Sequence, residues 1–216
     1  MPSARSKDSS PRPRSRRQPI RRFSLWLVGL GVSTEVVAIV GMVFGILAGV
    51  SFLLTSEPDT PFFVWLIGMG FCLLRVLCIR FDQLLQGSLP RQGGDDNYFT
   101  ELPERVSDAI TLIGFGFAAD ANPWLGLLAA LAAIFSAYLR SVGTARGMGR
   151  KSSSSGPMTR IHRLLLLALT SLLMALGVPN DSLRTPIPQI ALWVIILGCI
   201  TTVMIRWRNV VEPERK

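Results

Sequence analysis

Six of the fourteen acidic residues of this 216-residue chain fall in one stretch, Cys78 to Asp108: Asp82, Asp95, Asp96, Glu101, Glu104 and Asp108. Carboxylates are hard oxygen donors, so a convergent set suits a divalent cation such as Mg²⁺ or Mn²⁺, above all where phosphate oxygens share the ion. Spacing selects among them. Glu104 and Asp108 stand four apart, which puts both on one face of a helix, and Glu101 stands one turn earlier. Asp95 and Asp96 adjoin Gly93 and Gly94 and read as solvated loop acids. Asp82, Glu101, Glu104 and Asp108 are therefore the candidate metal ligands.

A second set is cationic. Arg140 to Arg163 contains Arg140, Arg146, Arg150, Lys151, Arg160 and Arg163 and no acid. Arg140, Arg160 and Arg163 are candidate charge-assisted donors to a phosphate, and His162, the only histidine, stands beside them, where it also suits a hydrogen-bonded helix start. The competing reading of this run is anchorage at the inner membrane surface, and it fits Arg146, Arg150 and Lys151 best.

The elements that must position these groups are apolar helices. With 49% hydrophobic residues and long uncharged runs, the chain belongs to the membrane class. The net charge of +9 gathers at the ends of apolar segments, which selects lipid headgroups rather than nucleic acid as the anionic partner. Cys72, Cys78 and Cys199 lack close CxxC spacing and read as small core residues.

Residues 1–22 form a disordered basic arm, since Ser, Pro and Arg cannot bury a core. Residues 23–208 form the membrane domain and 209–216 a short cytoplasmic tail. Phe23 to Leu30 suits an interfacial helix. The spans are expected at Val36–Leu54, Phe62–Ile79, Val106–Ala119 (with its helix starting near Leu102 or Pro103), Trp124–Leu139, Leu164–Val178 and Ile190–Ile205, a span requiring about 20 residues. Arg75, in the second, is expected to snorkel to the interface. Gly41, Gly45 and Gly49 make a doubled GxxxG that serves as a packing seam within the bundle and also permits a homodimer. The expected inside loops hold most of the basic residues and the outside loops only Arg184, so both termini are expected in the cytoplasm. The expected fold is all-α: a polytopic six-transmembrane-helix bundle with an N-terminal interfacial helix.

The order of these pieces resembles the CDP-alcohol phosphatidyltransferases, whose signature is DxxDGxxAR, a gap, then GxxxDxxxD. ELPERVSD at Glu101 to Asp108 is similar to the N(D/E)LPDRxSD form of one branch. GPMTRIHR at Gly156 to Arg163 is similar to its GPMxKxHR segment, and Tyr138, Leu139 and Arg140 with Gly143 are similar to the AYxRxxG that ends its fourth helix. The resemblance covers roughly residues 33 to 205. It departs in the first half-motif: Ile79 stands at the first acid, Gln83 at the glycine, Gln86 at the alanine and Gly87 at the arginine, while Asp82 keeps the second acid. In the second half Thr100 stands at the glycine, Glu104 at the third acid, and Asp108 keeps the fourth.

The resemblance implies an enzyme of phospholipid synthesis in a bacterial inner membrane. An alcohol acceptor would attack the phosphorus of a CDP-linked lipid donor, releasing CMP, with Asp108 matching the acid that removes the alcohol's proton. It also implies Mg²⁺ or Mn²⁺ held by the acids, and the missing acid at Ile79 counts against a second ion. The eroded half-motif equally fits a noncatalytic descendant of the fold that binds a lipid or a partner.

Overall fold

The computed structural model describes residues 34–57, 62–88, 97–146, 156–177 and 186–211. The basic arm, the interfacial helix at Phe23–Leu30, Asp95 and Asp96, Arg150 and Lys151, and the last five residues lie outside them, as does the side chain of Glu101. Six helices follow in order: α1 Thr34–Leu54, α2 Phe63–Ser88, α3 Asn97–Gly116, α4 Pro123–Ala145, α5 Arg160–Ala175 and α6 Pro186–Val211, with no strand among the described residues. Four of them, α1, α2, α4 and α6, are long and apolar enough to cross a membrane. The other two fall short for physical reasons. α5 has 16 residues, about 24 Å of helix at 1.5 Å per residue. The first twelve residues of α3 carry Glu101, Glu104, Arg105 and Asp108.

The apolar runs form helices where expected, but their polar ends extend further. α2 continues past Ile79 to Ser88, and α3 begins at Asn97 with Pro103 inside it. Proline lacks one backbone donor and costs the helix one bond near its start, without ending it here. α4 opens with Asn122, whose Oδ1 accepts the Trp124 N–H at 2.9 Å, and with Pro123 at the first turn, the usual chemistry of a helix start. α5 opens at Thr159, whose side chain and that of His162 reciprocally bond each other's backbone N–H groups.

The helices pack α1 on α2 and α3, α2 on α5, α3 on α4, and α4 on α6. The glycine face of α1 is spent inside this chain. A Cβ at Gly49 would lie 2.7 Å from the Ile110 carbonyl oxygen, and one at Gly45 would overlap Arg75 Nη1 and Ser107 Oγ. Side-chain hydroxyls tie this seam: Ser107 Oγ donates to Met42 O at 3.2 Å, and Thr111 Oγ1 reaches Gly45 O at 2.9 Å and Ser107 O at 2.7 Å. Such interhelical bonds hold helices together where apolar contact alone gives little preference over lipid. At one end of the bundle Phe52, Trp65 and Phe115 pack ring against ring, Phe52 and Phe115 edge-to-face at 5.0 Å. Cys72 and Cys199 lie in the apolar core, as their isolated spacing implied. Apolar side chains such as Leu131, Leu197 and Trp193 point outward, as lipid-facing surfaces require.

Candidate functional site

Away from the aromatic end, charged groups from three helices meet. Asp108 on α3 is buried and is the centre. Its Oδ1 accepts from Arg75 Nη2 at 2.6 Å, and its Oδ2 accepts from Arg163 Nη2 at 2.9 Å and faces Arg160 Nε at 3.3 Å. Glu104, one turn earlier, pairs with Arg160. The four-residue spacing thus does what a helical register demands, aiming both carboxylates at the start of α5, where Arg160 and Arg163 project from its first turn.

Arg75 is the member that the sequence reading misplaced. It lies midway along α2 and is only 2% exposed, so it does not snorkel. Its guanidinium reaches three acceptors on two other helices: Asp108, the Glu104 carbonyl at 3.0 Å and the Gly41 carbonyl at 3.3 Å. Its Nε is buried with no acceptor among the described residues. The missing side chain of Gly45 makes the room it occupies. The available signal was positional: an arginine midway along an apolar span, far from either interface, must find a buried partner.

Arg75, Ile79 and Asp82 lie on one face of α2 and line a narrow cleft with Gly41, Met42 and Glu104. A second narrow cleft is lined by Asp108 with Arg160, Arg163 and Leu167. Asp82 is buried at the first cleft. Ile79 packs into the apolar core.

The remaining candidates lie around this centre. Arg163 Nη1 also approaches Cys199 Sγ at 3.8 Å. Arg140, exposed on α4, does not join Asp108 in any bond described here; with Arg163 it lies within electrostatic reach of Arg206, a buried cation of α6 that donates to Ser136 O and Oγ. His162 Nδ1 sits 2.8 Å from Pro157 O and 3.5 Å from Thr159 N, which gives the ring a helix-start role.

A hard divalent cation needs several carboxylate oxygens at once. Among the described residues no group of three His, Cys, Asp or Glu side chains comes together to hold one. Both Asp108 oxygens face guanidiniums, Glu104 is paired with Arg160, and an isoleucine stands at the first acid position. The described donors, among which the Glu101 side chain is not counted, do not fit Mg²⁺ or Mn²⁺.

Comparison with solved structures places the arrangement. Mycobacterium tuberculosis phosphatidylinositol phosphate synthase with CDP-DAG bound superposes with a TM-score of 0.66 at 15% identity, covering 89% of this chain and 94% of that one. This chain has the fold of that synthase. The same enzyme in complex with manganese and citrate gives a TM-score of 0.66 at 16% identity, covering 89% of this chain and 88% of that one. No family model matches the sequence, and no curated protein matches it. The neighbour is a CDP-alcohol phosphatidyltransferase, so the resemblance read from ELPERVSD and GPMTRIHR holds at the level of fold.

Proposed function

We propose that the protein is an integral membrane protein of the CDP-alcohol phosphatidyltransferase type, which transfers a phosphatidyl or phospho-alcohol group from a CDP-linked donor to an alcohol and releases CMP. The observation that carries this reading is the meeting of Asp108 and Glu104 with Arg75, Arg160 and Arg163 between two clefts, in a fold shared with a synthase that binds CDP-DAG. The reading places six spans in a bacterial inner membrane with both termini cytoplasmic, a basic arm at 1–22 and a short tail after α6.

The chemistry follows from the cluster. The donor's phosphates are anions entering beside three guanidiniums. Arg160, the most exposed of the three, turns from Asp108 and Glu104 to the phosphates, as a charge-assisted donor does when a more highly charged acceptor arrives. That loosens the hold on Asp108 Oδ2, which then takes the proton of the attacking alcohol. The alcohol oxygen bonds to phosphorus, the bond to CMP breaks, and CMP leaves with the charge that the arginines have compensated. Arg163 and Arg140 are the donors this reading assigns to an acceptor phosphate. Because the donor set does not fit a divalent ion, no step is routed through one.

A second reading, a noncatalytic descendant that binds a lipid headgroup, is favoured by the engagement of both Asp108 oxygens and by Ile79. The two separate on one assay. Purified protein is given CDP-diacylglycerol and a panel of alcohols, including phosphorylated ones, and CMP is measured. CMP that disappears in Asp108→Asn supports the transferase; no CMP from any alcohol, beside an active synthase control, leaves the binding reading.

A further inference from the structure

We propose that Arg75 is a built-in cation of this site, occupying the electrostatic position of a divalent ion, so that the protein carries no divalent-cation site in its charged cluster. The inference rests on the reading of the cluster as a phosphate-handling site, but it concerns only what neutralises the carboxylates.

Four observations support it. The first is charge balance. Three carboxylates, Asp82, Glu104 and Asp108, meet three guanidiniums, Arg75, Arg160 and Arg163, within one neighbourhood. Among the described side chains the cluster is neutral without an ion, and a dication entering it would face the buried guanidiniums of Arg75 and Arg163, with Arg160 beside them, in a medium that screens poorly.

The second is commitment. Arg75 is buried to 2% exposure, and its guanidinium divides itself among acceptors on α1 and α3. A planar fork with fixed donor directions suits three acceptors on two helices, where the point charge of a lysine would not. Removing it from Asp108 would strand a buried charge.

The third is the neighbouring position. Ile79 stands one turn beyond Arg75 on the same face of α2 and lines the same cleft. Ile79 supplies no ligand at this position, while Arg75 one turn earlier supplies a cation. Each alone weakens an ion site, and together they stand in place of one.

The fourth is donor polarity. Arg75 Nε presents a buried N–H with no acceptor among the described residues. An unmet buried N–H disfavours a cation beside it. The glycine at position 45 completes the arrangement, since any side chain would occupy the space of the guanidinium.

The test uses the full-length protein in detergent and reads Mn²⁺ directly by electron paramagnetic resonance, in which bound Mn²⁺ loses the sharp signal of the free ion. Titration of wild type is expected to leave the free-ion signal unreduced, and Arg75→Met combined with Ile79→Asp is expected to bind Mn²⁺ at least tenfold more tightly. Arg75→Lys is expected to remain without Mn²⁺, because it retains the charge. Mn²⁺ binding by wild type that is lost in Asp108→Asn would overturn the proposal. Should the double variant fail to fold, the wild-type and Asp108→Asn titrations still decide it. A parallel arm measures CDP-diacylglycerol binding in EDTA. Binding within twofold of that with Mn²⁺ present is expected, and a loss of tenfold or more on chelation overturns the proposal. Absence of both Mn²⁺ and CDP-diacylglycerol binding supports the fixed cation and counts against the transferase reading alone.

Discussion

Arg75 Nη2 stands 2.6 Å from Asp108 Oδ1 across the interface of α2 and α3, with both side chains almost wholly buried. A pair of this kind is costly to bury and costlier to break, because either partner left alone is an uncompensated charge in a low-dielectric interior. The same contact therefore couples the fold of the bundle to the state of its candidate site.

Asp108→Asn is expected to lower stability by about 3 kcal/mol, since it leaves Arg75 and Arg163 buried against a neutral amide. Thermal unfolding in detergent should show a clearly lower midpoint, and CMP release should be lost. Glu104→Gln, whose partner Arg160 is partly exposed, is expected to cost about 1 kcal/mol or less. Equal costs for the two would contradict the central place given to Asp108.

Arg163 and Arg160 are expected to part company. Arg163 is buried and bonded to Asp108, so Arg163→Ala should cost about 3 kcal/mol. Arg160→Ala should cost about 1 kcal/mol or less, yet weaken CDP-diacylglycerol binding at least as much, because Arg160 is the more accessible donor. Unfolding midpoints and lipid binding on the same preparations check the reversal of order.

Gly45→Ala is expected to destabilise by about 1–3 kcal/mol, the usual range for overpacking, because the new methyl meets Arg75 and Ser107. Gly70→Ala, where an added Cβ meets nothing within 4 Å, should be neutral or stabilising by a few tenths of a kcal/mol up to about 1, as helix propensity requires. A Gly45→Ala protein as stable as wild type would remove the close α1 approach from the account.

Thr159→Ala and His162→Ala should each cost about 1 kcal/mol, the usual worth of an N-cap. Their reciprocal bonds form one unit, so the double variant should cost little more than either single one. Strict additivity in a double-mutant cycle would show that the two side chains act separately.

The local layout was legible. Apolar runs of helical length locate α1, α2, α4 and α6, and the four-residue spacing of Glu104 and Asp108 places both on one face of α3; only the fold turns that face toward Arg160 and Arg163. His162 could be read as a helix-start residue because capping is a matter of near neighbours, though its partner Thr159 went unread. The glycines of α1 marked a seam, but only the fold shows that α2 and α3 fill it. Helix ends were less legible: polar residues such as those at Arg80–Ser88 continue a helix when neighbours support them, and local propensity is too weak to announce it.

The sequence by itself determined the class, the helices and which residues carry charge, because hydropathy and helical period are properties of the chain. Only the tertiary structure decided which charges neutralise which. Arg75 lies 33 residues from Asp108, and Arg163 lies 55 from it, distances at which no periodicity speaks. An arginine in an apolar helix has two favourable outcomes, extension to the membrane surface or a buried acid, and the geometry of a neighbouring helix selects between them. Here α3 presents Asp108 opposite the space left by Gly45, and the carboxylate that the sequence offers to a metal is held by a guanidinium.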